Sequence, residues 1–218
     1  MKYFVAIAGN IGVGKSTLTS LMSSKLGWEP FLEAVTENPY LVDFYQDMPR
    51  WGFHSQIFFL LRRVRQHQES LQHGGSVIQD RSVYEDAEIF ARNLYLQGNM
   101  SDRDWATYLD LYKTSSSLLH PPDLVVYLKA SVPTLLKRIA QRGRDYEQSV
   151  PYEYLESLNR LYDEWATNFS LCPVLTVATD KLNYVLHEGH LDQVIGVIQD
   201  RLHGKETLVL ENGESPHA

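Results

Sequence analysis

The chain has 218 residues, 44% of them apolar, and 20 lysines and arginines against 27 aspartates and glutamates give a net charge of −7. That length suits one sizeable core in a single domain, 1–203. The acidic balance argues against a general binder of nucleic acid or anionic membrane, which needs a basic face. The single cysteine, Cys172, excludes an intramolecular disulfide, suits a reducing compartment and reads as a small buried hydrophobe.

In chain order, short apolar runs alternate with helical stretches. The runs are YFVAIA (3–8), EPFLE (29–33), SVIQD (76–80), DLVVYLK (123–129) and PVLTVA (173–178). Continuous runs of this kind predict parallel strands buried on both faces. A helix is expected from Lys15 until just before Gly27. Another is expected at ENPY, where Pro39 suits a first turn. A long helix follows over about 51–72, and Ser101 with Asp104 makes a capping-box-like start for the next. Five strands with helical crossovers imply a doubly wound α/β fold, with ligands beyond the carboxyl ends of the strands. No run reaches membrane-spanning length, and the amino terminus enters a strand at once. No signal or transit peptide is therefore expected, and the cytoplasm is the default compartment. The polar segment 204–218 is expected to be a mobile tail.

The strongest motif is Gly9-Asn10-Ile11-Gly12-Val13-Gly14-Lys15-Ser16, followed by Thr17, between the first strand and the first helix. It matches the phosphate-binding loop, or P-loop. Its glycines let the backbone turn successive N–H groups toward phosphate oxygens, and the helix amino terminus adds partial positive charge. Lys15 is expected to reach the β- and γ-phosphates of ATP, and Ser16 to ligate Mg²⁺. A GTPase would also carry Asn-Lys-x-Asp after a later strand, but TDKLN (179–183) departs from that pattern. A small kinase remains. It needs an acceptor pocket, a base and mobile arginines over the transferred phosphoryl group.

Arg138 and Arg142 lie four apart on one helix face, and Gly143 allows a break before Arg144. These three form an expected lid over ATP. Asp80 ends a buried strand where a Mg²⁺-associated carboxylate belongs, with Arg81 beside it. Glu33 ends the second strand and could take a proton from a hydroxyl; Asp80 is the alternative base.

Jointly, these residues resemble the deoxynucleoside kinase family of P-loop kinases. The likeness rests on the P-loop, Glu33, the run from Tyr45 to Trp51 with Gln56 beyond it, DRSVYED (80–86), and RGRDYEQSVPYEYLE (142–156). It implies phosphorylation of a deoxynucleoside 5′-hydroxyl, a homodimer, and feedback inhibition by a deoxynucleoside triphosphate. It further implies that Glu33 is the base and Arg81 holds the reacting ends. By the same likeness, Tyr45 and Glu147 bind the sugar 3′-hydroxyl, Gln56 reads the base edge, and Arg63 with Asp86 forms a polar pair beside the base. Trp51 and Phe58 are candidate pocket walls. Family members often carry Glu where Asp80 stands.

A monophosphate kinase needs a cation clamp on the acceptor phosphate, and FLEAVTENPY (31–40) holds no arginine. A neutral acceptor is therefore expected. Asp86 and Arg63 suit a base with an exocyclic amine, adenine, cytosine or guanine, and disfavour thymidine. Phe59 and NPYLVDFYQD (38–47) resemble bacterial deoxyadenosine-type members of the family, and that likeness implies deoxyadenosine ahead of deoxycytidine and deoxyguanosine. The alternatives are a thymidylate-type kinase and a non-catalytic nucleotide-binding subunit.

Overall fold

The computed structural model describes residues 1–32, 37–144, 147 and 150–204. The expected tail lies outside these residues apart from Gly204, and so does Glu33. In chain order the elements are β1 (Phe4–Gly9), α1 (Lys15–Leu26), β2 (Glu29–Phe31), α2 (Leu41–Gln46), α3 (Met48–Gln72) and β3 (Val77–Asp80). Next come α4 (Val83–Glu85), a π-helical segment (Asp86–Ala91), α5 (Arg92–Leu96), α6 (Asp102–Ser116), β4 (Leu124–Lys129), α7 (Val132–Arg142), α8 (Tyr152–Asn168), β5 (Val174–Ala178) and α9 (Glu188–Leu202).

The five strands form one sheet in the order β2-β3-β1-β4-β5, every pairing parallel. Its centre is apolar on both faces, as expected: Val5, Ala6, Ile7, Ala8, Val125 and Val126 are fully buried. The two edges are not. β2 covers only Glu29–Phe31 and is exposed to half-buried, and β5 is half-exposed along its length. Pro30 cannot donate to a ladder, which suits an edge strand.

Two helix starts also differ. Pro39 and Tyr40 form a turn, and α2 begins only at Leu41. The long helix begins earlier than expected, at Met48. There the Asp47 side chain accepts from the Arg50 N–H at 3.2 Å, and a proline sits in the first turn. Ser101 caps α6 as expected, accepting from the Asp104 N–H at 3.2 Å.

From β1 the chain crosses to β2 and returns through β3, and then passes to the other side through β4 and β5. The carboxyl ends of β1 and β3 therefore flank the switch point where α/β sheets bind ligands. Ile7 pairs with Asp80 there, and the Arg81 N–H continues the ladder to the Ile7 carbonyl at 2.9 Å. Among the described residues, no helix is long and apolar enough to cross a membrane.

Candidate active site

The P-loop is packed rather than merely permissive. At Gly12 (φ +80°) an added Cβ would lie 2.7 Å from Ile139 Cγ1 and 3.0 Å from the Leu135 carbonyl, so the loop rests on α7. At Gly14 (φ +105°) an added Cβ would lie 2.7 Å from the Tyr184 hydroxyl. The Asn10 amide donates to the Leu155 carbonyl at 2.9 Å and to Asn159 Oδ1 at 2.8 Å, while its own oxygen accepts from the Ile11 N–H at 2.7 Å. The loop is thus fixed to α8 before any phosphate arrives. Lys15 is buried at the start of α1 and its ammonium donates to the Asn10 carbonyl at 3.1 Å.

Asp80 and Ser16, 64 residues apart, meet in a short hydrogen bond from the hydroxyl to the carboxylate. Among the described residues no cluster of three or more His, Cys, Asp or Glu could hold a metal. A hydroxyl beside a carboxylate is nevertheless the hard oxygen set that suits Mg²⁺, which takes its remaining ligands from water and phosphates.

A cavity opens beyond these strand ends. Its lining includes Ile11, Gly12 and Gly14 to Thr17 of the P-loop with Arg81, and also Tyr45, Gln56 and Asp86. Phe44, Phe59, Phe90 and Tyr154 line it as well. Gln56 is buried, and among the described residues its side-chain oxygen has no hydrogen-bond partner. Asp86 reaches the cavity through the π-helical segment, and π-turns recur at functional sites.

The sequence matches the family model for deoxynucleoside kinase over residues 5–203. The chain belongs to the deoxynucleoside kinase family. As a member it is a kinase that transfers phosphate from ATP to a deoxynucleoside. It is 36% identical over 204 residues to the deoxyadenosine/deoxycytidine kinase of Bacillus subtilis, covering 93% of this chain and 94% of that one. It is 38% identical over 174 residues to a deoxyadenosine kinase of Dictyostelium discoideum, covering 79% and 71%. The deoxyadenosine kinase of M. mycoides, solved with bound dATP, superposes with a TM-score of 0.80 at 33% identity, covering 90% of this chain and 99% of that one.

Several residues expected in the kinase site are placed differently from a simple reading of their motifs. Arg63 does not line the cavity. It lies behind Asp86, 2% exposed, its Nε 3.4 Å from Asp86 Oδ2 and its Nη1 donating to the Asp80 carbonyl at 2.9 Å. Arg138 also stays off the cavity wall. Its guanidinium binds the Val13 carbonyl at 2.9 Å and the Thr179 carbonyl at 2.7 Å, joining the P-loop to the segment after β5. Arg142 and Arg144 do line the cavity, but both pair with Glu147: Arg142 in a short contact, Arg144 at 3.2 Å. Trp51 stacks on Tyr40 at 5.8 Å, and Phe58 packs under Arg62. Neither is among the cavity's lining residues. Cys172 is half-buried rather than buried, and burial pushes its thiol up to about 12.

Two residues of this site carry no sequence signal of their role. Glu85 looks like the last member of a capping box with Ser82, and it is that. Its second oxygen leaves the helix, accepting from the Gly9 N–H at 3.1 Å and lying 2.8 Å from the Tyr162 hydroxyl. Tyr162 sits on α8 and accepts from Arg81 Nη1 at 3.0 Å.

Proposed function

We propose that this kinase phosphorylates the 5′-hydroxyl of deoxyadenosine in preference to other acceptors, with deoxycytidine and deoxyguanosine as further substrates. One observation carries the reading. The buried side-chain oxygen of Gln56 lacks a partner among the described residues, and it shares the cavity with the Asp86 carboxylate. Buried acceptors of this kind call for a ligand that brings N–H donors. Adenine and cytosine present an amine beside a ring nitrogen, where thymine presents a carbonyl. Relatives named deoxyadenosine/deoxycytidine, deoxyadenosine and deoxyguanosine kinase support an acceptor whose base carries an amine.

In this reading the sugar lies between Tyr45 and Glu147, so Glu147 must exchange its pairing with Arg142 and Arg144 for the 3′-hydroxyl. The two released arginines then face the phosphates. This couples acceptor binding to the lid, as expected of a kinase that must exclude water before transfer. The P-loop N–H groups from Gly12 to Thr17, with Lys15, hold the β- and γ-phosphates of ATP, the Gly9 N–H being taken by Glu85. Arg138 stiffens that loop through the Val13 carbonyl. Arg81 bridges the 5′-oxygen and the transferring group. Glu33 takes the 5′-hydroxyl proton; Asp80 is already engaged by Ser16, which favours Glu33 as base. Ser16 and Asp80 would hold Mg²⁺, which supplies positive charge to the phosphate oxygens. A homodimer in the cytoplasm completes the reading and rests on likeness to the family.

The test is a set of initial rates with Mg²⁺–ATP and equal concentrations of deoxyadenosine, deoxyguanosine, deoxycytidine, thymidine and thymidylate. Deoxyadenosine should give the highest kcat/KM. The highest value for thymidine would refute the reading of Gln56 and Asp86, and turnover of thymidylate alone would refute the acceptor class.

A further inference from the structure

Glu85 is a fully buried carboxylate beside a site built to receive phosphate. Such a group repels the substrate and loses its hydration, so its retention there requires a compensating arrangement. Four donors supply it. Oε2 accepts from the Ser82 N–H at 2.7 Å and the Ser82 hydroxyl at 3.1 Å. Oε1 accepts from the Gly9 N–H at 3.1 Å and lies 2.8 Å from the Tyr162 hydroxyl. Capping of α4 occupies only Oε2. Oε1 is directed to the first residue of the P-loop and, at 3.7 Å, to Arg81 Nη1.

Tyr162 connects the two. Burial raises its phenol well above 10, so it remains a protonated donor. Its oxygen accepts from Arg81 Nη1 at 3.0 Å and lies 2.8 Å from the Gly9 carbonyl. The guanidinium also lies over the Phe90 ring, 4.3 Å from Cζ to centroid. The backbone of Arg81 is itself constrained: at φ 71° it is the non-glycine residue with positive φ among those described. Its carbonyl accepts from Gln79 Nε2 at 3.0 Å. Constraint of this kind clusters where a side chain must be aimed.

We propose that Glu85 and Tyr162 are positioning residues that act through Arg81. They hold its guanidinium in register with Gly9, so that the arginine and the P-loop meet the transferring phosphoryl group as one unit. The proposal rests on the role given to Arg81 above. It assigns the buried negative charge a task that neither capping nor proton transfer requires.

Tyr162→Phe removes the bridge alone, and Glu85→Gln removes the charge at nearly constant shape. Each is measured for kcat, both KM values and melting temperature, in the wild-type and the Arg81→Lys backgrounds. In the wild-type background each should lower kcat about 10- to 100-fold, with KM for the deoxynucleoside changed far less. In the Arg81→Lys background the same substitutions should lower kcat by about twofold or less, because the group they position is gone. Equal losses in both backgrounds would overturn the proposal and leave a structural role. So would near-wild-type kcat in Tyr162→Phe, which carries the test alone if Glu85→Gln fails to fold. Wild-type protein that phosphorylates no deoxynucleoside would refute the proposed function instead. Active wild type without coupling refutes only this inference.

Discussion

Removing Asp86 should separate stability from base recognition, because it leaves Arg63 buried without its carboxylate. The two side chains are 3% and 2% exposed, so the guanidinium left behind cannot reach bulk water. Breaking such a pair costs about 3–5 kcal/mol. The lower end applies here, for two reasons. The Nε–Oδ2 distance of 3.4 Å is long for a charge-assisted bond. Arg63 Nη1 also retains the Asp80 carbonyl at 2.9 Å. At about 2–4 °C per kcal/mol for a chain of this size, Asp86→Ala should melt roughly 6–12 °C below wild type. Adding Arg63→Met removes the buried charge and should recover most of that loss, since an apolar replacement of a buried pair is often neutral. Base selection should not recover with it. Loss of one hydrogen bond to a charged acceptor is worth about 1.5–3 kcal/mol, a fall of roughly 10- to 150-fold in kcat/KM for deoxyadenosine. Thymidine, which offers no amine there, should lose far less. The assay is a thermal melt and paired kcat/KM values for wild type, single and double variants. A double variant that keeps the wild-type ratio of deoxyadenosine to thymidine would refute the claim that this pair reads the base. A double variant no more stable than the single one would refute the claim that the charges depend on each other.

Three further outcomes follow. Glu33→Gln should lower kcat about 10²- to 10⁴-fold while ATP affinity, measured by equilibrium titration, stays near wild type; near-normal turnover would remove Glu33 as base. Gly12→Ala should weaken ATP binding and lower the melting temperature together, because its Cβ meets Ile139 at 2.7 Å on a backbone at φ +80°; unchanged ATP titration would contradict the packing of the loop on α7. Asp180 accepts from the Thr134 hydroxyl and from the hydroxyl and N–H of Ser131, and these bonds, Thr134 first, hold its carboxyl below the ordinary value near 3.8. A depressed carboxyl stabilises the fold above its unfolded-state pKa and loses that contribution as pH falls through the folded one. The melting-temperature gap between wild type and Asp180→Ala should therefore be widest near neutral pH and should close as the pH is lowered through 4 to 3; a gap independent of pH would show that the charge of Asp180 contributes nothing.

The parts of this site that were legible in the sequence are those whose chemistry is written locally. The P-loop is eight consecutive residues in a strand–turn–helix context, and the strand from Phe4 is a continuous apolar run. Gly143 ends α7 in the left-handed conformation, the break expected there before Arg144. Less legible were residues whose partners are remote in sequence. In RRVR (62–65) the charges alone do not separate one arginine from the next, and it is the family likeness that pairs Arg63 with Asp86; the helix turns Arg63 inward to Asp86 and the Asp80 carbonyl and leaves Arg62 outside with Glu37. Periodicity places both on one helix but cannot say which face meets a carboxylate from another element. Arg138 reads as a lid arginine by its spacing from Arg142, and only the fold reveals that the segment after β5 supplies carbonyls for it. Glu85 is the sharpest case. Its local pattern, Ser82 followed three residues later by an acid, is fully explained by a helix cap, and so conceals the second oxygen. That oxygen reaches Gly9, 76 residues earlier, and Tyr162, 77 residues later. A local motif accounts for as many bonds as its own segment can make. A buried carboxylate has room for more, and here the additional bonds join Gly9 of the P-loop to Tyr162, which in turn accepts from Arg81.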